Sequence, residues 1–476
     1  MGHQYATLLR GSAKSSICMT DGYKFSMAQA GFPLRSETFH LVLRQGGPHF
    51  LPFDFSEVAQ DLFQNIEYPL SGVDFLTRQG YALTQAMIQA FVEGQCEAWS
   101  PPAGSWVGNG APVLTVSGPS FKVSWLEPLA IMFRFPIQVA TAAMNGVTEF
   151  RCTCEAEMKI VHLVLDALGK TGCTVTTSTP DYIAAVTTNV TDIKDALGGE
   201  IERAFEVGMR AATCMDMHTA ALVACIEHGL VKTSNVHLAH RLSMRAVGTT
   251  GHEHQQRWFS DGAGFRAMRD MRTVPPTYLF DTYDTLTGGI PAAVEVMRED
   301  LNRPCFVRFD SGDQDEQLRR FLIAEGHYGT KPGYIFEDSY TAAKTEANEY
   351  LCTQDVTKGG FGLDRARLFY GYGGFIVNPK SCTQFRRDDV GAVYKLSQTG
   401  GVPVMKDCGT KSSLPGKPCI LVDDQGNQVI AQQGEILERC HPLTAADPRP
   451  TKWVPAISPL TAEFRSQCRG RNRGAR

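Results

Sequence analysis

The sequence predicts an α/β protein in which a parallel barrel of strand–helix units is flanked by a domain built from both chain ends. Three observations carry this reading. From about residue 146 to 374, short apolar runs are each followed by a polar or glycine turn and mostly by a helical pattern, as parallel βα units require. Residues 1–145 and 375–476 lack that rhythm but contain strand-like runs, so they are expected to pack together as one flanking unit. The third observation is the chemistry at the strand ends. Lys, Asn, His, Arg and several Asp collect where a barrel of this kind places its reactive groups.

Composition bounds what such a protein can do. A chain of 476 residues, 43% hydrophobic and 20% charged, is ordinary globular material and long enough for two domains. A net charge of −4 gives no reason to expect nucleic acid as a partner. The fourteen cysteines have no repeating spacing. Cys152 and Cys154 stand close together, with no second Cys/His pair to complete a zinc set, so reduced thiols in a cytoplasmic protein are expected. No stretch approaches the ~18 uninterrupted apolar residues of a membrane span, and no apolar signal core opens the chain. Met1-Gly2 begins like a myristoylation site, but Ala6 stands where Ser or Thr is needed. The basic tail from Arg465 to Arg476 reads as a frayed, solvated terminus.

In chain order, Thr20-Asp-Gly-Tyr-Lys24 opens a helix behind a polar cap, and Glu37 to Arg44 reads as a strand. A helical pattern runs from Gly72 to about Val92. Ala111 to Pro119 is another strand, followed by one long apolar helix through Trp125, Leu126, Ile131 and Ile137. In the barrel region, the helix Ala211 to His228 stops at Gly229. Leu230-Val231 then runs into Lys232-Thr-Ser-Asn235, and Met244 to Val247 into Gly248-Thr-Thr-Gly-His-Glu-His254. Thr277 to Phe280 ends in Asp281-Thr-Tyr-Asp284, and Cys305 to Phe309 in Asp310-Ser-Gly-Asp313. Tyr334 to Phe336 and Leu368 to Tyr370 complete six strands, ending in Glu337-Asp-Ser339 and Gly371-Tyr-Gly-Gly374. Beyond 375, strands and turns loaded with cations include Val393-Tyr-Lys-Leu396, Val402 to Lys406 and Lys411 to Lys417.

These strand ends point to anion handling. Arg308, Lys232, Lys395, Lys406 and Arg44 supply cations, and the N–H groups behind Ser311 and Gly312 can hold a phosphate at a helix start. The bland reading is a solvated basic face, with Arg308 and Asp310 merely paired. Asp281, Asp284, Asp310 and Asp338 suit a hydrated Mg2+ bridged to substrate phosphates. His252, in a glycine turn, suits a base or nucleophile, although a lone histidine is more often structural. Phosphoryl or phosphoribosyl transfer would use this set.

The chain resembles the nicotinate phosphoribosyltransferases, within the family that also contains nicotinamide phosphoribosyltransferase. The resemblance spans roughly residues 18–420 and rests on ordered motifs. They are Thr20-Asp-Gly-Tyr-Lys24, Phe205-Glu-Val-Gly-Met-Arg210, Lys232-Thr-Ser-Asn235, Gly248-Thr-Thr-Gly-His252 and Phe280-Asp-Thr-Tyr-Asp-Thr285. Arg308-Phe-Asp-Ser-Gly312, Tyr372-Gly-Gly-Phe375, Val393-Tyr-Lys-Leu396 and Lys411-Ser-Ser-Leu-Pro-Gly416 continue the series. The resemblance implies an incomplete α/β barrel beside a domain of both termini, assembled as a homodimer with shared active sites. It implies that nicotinate and phosphoribosyl pyrophosphate are joined with release of pyrophosphate. ATP as co-substrate would drive the step through a phosphohistidine.

By motif position the phosphoryl carrier resembles His252, with His254 as the weaker candidate. Arg210 and Arg308 fall where the base is held, and Tyr23 where an aromatic from a partner subunit stacks on it. Asp281 and Asp310 match ribose or Mg2+ contacts, Gly373 and Gly374 a phosphate turn, and Arg44, Lys395 and Lys406 the cations around pyrophosphate and ATP. Asn235 stands where nicotinamide-specific relatives carry an aspartate, which favours nicotinate. The chain departs from the family pattern at Val207, where an aromatic would sandwich the ring, at Ala211, where a second Arg is usual, and at Gly374, where Thr is common. The rival readings are nicotinamide as substrate, a lyase using Lys232 as a Schiff-base amine, and a non-catalytic nucleotide-binding relative.

Overall fold

The computed structural model describes residues 1–474 except 65, 272–273, 327–328, 330 and 409–410. Its central sheet has seven parallel strands. Their spatial order is Arg245–Ala246, Lys232–Thr233, Ala204–Glu206, Leu368–Tyr372, Gly333–Phe336, Phe306–Phe309 and Thr277–Leu279. The sheet curls around a cavity but does not close. Its first and last strands pair with one neighbour each, and residues 247–276 cross the gap between them. Outward side chains stack on one another, with Phe309 and Phe336 rings 5.1 Å apart and Phe336 and Tyr370 rings 5.6 Å apart. The alternate residues Phe306, Arg308, Ile335 and Phe369 face the cavity, as the two-residue period of a strand dictates.

Five of the six expected strands stand where the sequence placed them, to within two residues. Leu230-Val231 does not. The Leu230 N–H still bonds the Cys225 carbonyl in the turn that closes the preceding helix at Gly229 (φ +89°). The strand therefore starts at Lys232, which becomes a strand residue rather than a turn residue. The seventh strand, Ala204–Glu206, was not anticipated from the sequence. The long apolar helix is three helices, Ser120–Trp125, Glu127–Met132 and Arg134–Met144, since Pro128 and Pro136 each lack the N–H a continuous helix needs. The Gly72–Val92 pattern is likewise two helices, Leu70–Arg78 and Gln85–Val92, parted at Gly80 (φ +81°).

Both chain ends meet in an antiparallel five-stranded sheet. Its order is Val402–Pro403, Ala392–Thr399, Ser36–Leu43, Pro112–Pro119 and Glu97–Trp99. One face carries Phe39, Leu41, Tyr394 and Leu396 into the main core. The other packs Val42 and Val393 against Leu414 and Ile430, and carries Lys395 opposite His40. The basic tail is not frayed. It forms the helix Pro459–Gly474, and Cys468 within it is 1% exposed. Among the described residues no helix is long and apolar enough to cross a membrane.

Candidate active site

The curled sheet encloses a cavity of about 350 Å³, within the range of small-molecule sites. Apolar walls come from Phe205, Val207, Phe306, Ile335 and Phe369. Four cationic side chains line it, Arg210, Lys232, Arg245 and Arg308, against two carboxylates, Asp21 and Glu337. Tyr23, on the helix Gly22–Gln29, closes one side and donates its hydroxyl to Glu127 Oε2 at 2.7 Å. The Arg210 guanidinium lies 5.8 Å from the Tyr23 ring centre, with Asp21 Oδ2 at 3.6 Å and Glu127 Oε1 at 3.7 Å.

Arg308 ties the cavity to the strand ends. Its Nη1 donates to Thr249 Oγ1 at 2.9 Å and to the Thr250 carbonyl at 2.7 Å. Its Nη2 meets Asp310 and, at 3.0 Å, Glu337. The bland alternative of a simple Arg308–Asp310 pair is thus too narrow. The same guanidinium also fixes the glycine turn that leads to His252. That turn is pressed closely onto its surroundings, for a Cβ at Gly248 would lie 2.3 Å from the Tyr23 backbone nitrogen.

His252 opens the helix His252–Trp258. Its Nε2 is 2.8 Å from Asp281 Oδ1, 2.8 Å from Lys406 Nζ and 3.8 Å from Asp310 Oδ2, whereas Nδ1 has no partner among the described residues. Lys406 also donates to Asp281 Oδ2 at 3.1 Å, and Ser311 bonds the same carboxylate. Burial, aided by Lys406, lowers the His252 imidazole below its usual value despite Asp281. Burial would raise Asp281, but His252 and Lys406 hold it well below the usual carboxylate range. Arg308 overcomes burial in the same way at Asp310, which sits at about 2.

The structure therefore brings His252, Asp281, Asp310, Ser311, Arg308 and Lys406 together, with Tyr23 and Arg210 across the cavity. Gly312 (φ +81°) makes the turn after Ser311, and Gly373 lies against the Val207 backbone where the strand Leu368–Tyr372 ends in Gly374. Arg44 and Lys395 are half-buried on or beside the second face of the five-stranded sheet, and neither side chain has a hydrogen-bond partner among the described residues. Burial pushes Lys395 down to about 8, with Lys406, Arg210 and Arg44 adding to the effect. The side chains of Lys411 and Ser412 lie outside the described residues.

Several expectations are corrected. Asn235 does not face the cavity. Strand parity points Lys232 and Ser234 inward and leaves Asn235 outside, where it caps the next helix through Leu238 N and meets His218 Nδ1 at 3.0 Å. Ser234, bonded to Asp21 at 2.7 Å, holds the place assigned to Asn235. Lys232 stands at the start of its strand, partly exposed, on the Glu202 carbonyl, away from the C-terminal strand ends where His252 and Asp281 meet. His254 is fully buried on the Gly264 carbonyl at 2.8 Å and cannot replace His252. Asp338 is exposed at φ +74°, and Asp284 accepts from Thr287 N as a helix cap; neither joins the Asp281–Asp310 group. Tyr23 lines the cavity of its own chain.

Sequence reasoning also missed Ser234, Glu337, Asp21 and Glu127. Extending the in–out alternation by one residue past each strand would have found the first two. The others arrive from distant segments and carry no local signal.

Among the described residues, His252, Asp281 and Asp310 bring one ligand atom each within 4.8 Å of one another. Carboxylate oxygens fit Mg2+, but Lys406 and Arg308 already neutralise both acids, and an imidazole is a poor ligand for so hard a cation. The set fits an ion carried largely by substrate phosphates, with Asp281 and Asp310 beside it.

Solved structures of nicotinate phosphoribosyltransferases share this fold. The enzyme of Porphyromonas gingivalis shares it with a TM-score of 0.57 at 18% identity, over 84% of this chain and 96% of that one. The Vibrio cholerae enzyme does so with a TM-score of 0.55 at 18% identity, over 85% and 92%. In sequence, 243 residues, 50% of this chain, are 29% identical to nicotinate phosphoribosyltransferase of Bacillus subtilis; they span 45% of that relative's length. No protein-family model matches the chain.

Proposed function

We propose that the protein is a nicotinate phosphoribosyltransferase, joining nicotinate to phosphoribosyl pyrophosphate with ATP hydrolysis and serving NAD biosynthesis. The observation that carries this reading is the charge of the cavity, four cationic side chains against two carboxylates on apolar, aromatic walls. That lining suits a flat anionic ring. The nicotinate carboxylate sits by Arg210 and Arg308, with its ring against Tyr23 and Phe205. The ring nitrogen attacks C1 of the phosphoribosyl group as the C1–O bond to pyrophosphate breaks. Arg44 and Lys395 receive the departing negative charge.

ATP is used at His252. In the tautomer that attacks, Nε2–H donates to Asp281 and Lys406 turns to Asp281 Oδ2, which leaves the lone pair on Nδ1, the nitrogen without a partner among the described residues. Nδ1 attacks the γ-phosphorus, ADP leaves, and water later cleaves the phosphohistidine to phosphate. Lys406 meets the charge that develops there. Mg2+, when bound, would neutralise phosphate charge beside Asp281 and Asp310. The protein would work in the cytoplasm, in keeping with thirteen described cysteines that are all free. As a homodimer it would carry a complete base cavity in each subunit.

The test is pyrophosphate release from phosphoribosyl pyrophosphate with nicotinate, nicotinamide or quinolinate, each with and without ATP. Nicotinate with ATP should be fastest. Equal use of nicotinamide would move the assignment to the sister activity. No turnover with any base would make the protein a binding relative.

A further inference from the structure

The proposed reaction leaves the terminal helix Pro459–Gly474 unused, yet this helix stands behind the His252 cluster. Arg471 donates through Nη2 to the Pro403 carbonyl, which Cys468 Sγ also approaches at 3.4 Å, and Asn472 Nδ2 donates to the Met405 carbonyl at 3.4 Å. The next residue is Lys406. Its own backbone is clamped from the other side, N–H to Ser413 Oγ at 3.0 Å and carbonyl to Ser413 N–H at 3.0 Å. The paired strand ends at Pro403; Val404 N–H still bonds the Ser397 carbonyl at 2.8 Å, and the Met405 carbonyl next to it is taken up by the Asn472 side chain.

The helix touches more than this one segment. A gap of about 10 Å³ is walled by Gln256 of the His252 helix, Tyr283 two residues past Asp281, Met405 beside Lys406, and Cys468 and Arg471. The Tyr283 hydroxyl in turn donates to the Gln255 carbonyl at 3.3 Å. The three segments that bring His252, Asp281 and Lys406 together thus share one wall, and the terminal helix is part of it.

We infer that the terminal helix is a positioning element and Arg471 a positioning residue, setting the Lys406 ammonium against His252. This rests on the reading that His252 accepts the phosphoryl group. A small displacement matters because Lys406 Nζ spans His252 Nε2 and Asp281 Oδ2 at once.

The experiment compares Arg471→Ala with Asn472→Ala combined, and Arg471→Lys alone, in the full chain. Two readouts are taken, ATP hydrolysis alongside ATP-independent transfer, and hydrogen exchange at the Met405 and Lys406 amides. Arg471 is exposed, so the variants should melt close to wild type. The expected result is an ATP hydrolysis rate about tenfold lower with ATP-independent transfer within about twofold of wild type. Arg471→Lys, which can still donate to Pro403, should recover most of the loss. Exchange at the two amides should rise about tenfold in the double variant and stay near wild type in Arg471→Lys. Unchanged exchange with full ATP hydrolysis would overturn the inference, as would losses of both activities in step with melting temperature. A wild type that hydrolyses no ATP would defeat the functional reading alone, since amide exchange still decides whether the helix holds the segment.

Discussion

Lys395 offers the sharpest test of the anion site, because its charge is held in place against burial. It lies on the five-stranded sheet opposite His40 with no hydrogen-bond or ion-pair partner among the described residues, and Arg44 and Lys406 press on it. Lowering a lysine from 10.5 to about 8 disfavours its cation by roughly 3 kcal/mol. The sign is that of a depressed cationic group. The ammonium is present below about pH 8 and is lost as pH rises through that value. If it receives pyrophosphate, kcat/KM for phosphoribosyl pyrophosphate should be level near pH 7 and fall about tenfold by pH 9. Lys395→Arg keeps its charge throughout and should abolish the alkaline limb. Lys395→Met should be about tenfold or more weaker at pH 7, with no limb. The assay is pyrophosphate release at low substrate across the pH range. A limb near pH 8 that survives in Lys395→Arg would assign it to another group and refute the role.

Other outcomes follow from the same geometry. His252→Ala should abolish ATP hydrolysis and the acid-labile, base-stable phosphate label while leaving uncoupled transfer, and undiminished hydrolysis would remove the role from this residue. Gly248→Ala drives a Cβ into the Tyr23 and Gly22 backbones, so it should destabilise by ~1–3 kcal/mol in denaturant melts and cut ATP hydrolysis about tenfold. Wild-type stability there would show that the turn has room to move. Since Tyr23 serves its own cavity, mixed Tyr23→Ala and Arg308→Ala subunits should show no activity above the mean of the separate variants after verified exchange. Recovery toward a quarter of wild type would restore a shared site.

The barrel was legible where buried strands announce themselves by composition, as Phe306–Phe309 does by packing apolar residues on both faces. Ala204–Glu206 was not, because three residues with an acid at the end carry no such pattern. The His252–Asp281–Asp310 group followed from strand ends converging on one face. The direction of Asn235 did not, since it turns on where the strand begins, and that was set by the hydrogen bond holding Leu230 in the preceding helix cap. The tail was misread for a tertiary reason. Its basic composition suits solvent, but burial of Cys468 and carbonyl contacts from Arg471 and Asn472 hold it against the strand segment carrying Lys406.

The unclosed edge of the sheet has one more consequence. In a complete barrel every loop hangs from strands bonded on both sides, so a change in any loop strains the whole ring. Here the span that carries Thr249, Thr250 and His252 replaces the missing strands and contributes nothing to the seven-strand ladder. Its anchorage is to side chains such as Arg308. The part that would draw on ATP is thus inserted in a seam, yet Val247, Gly248 and Thr249 of the same span line the cavity and Arg308 holds both, so a change in the seam is felt where the base would sit.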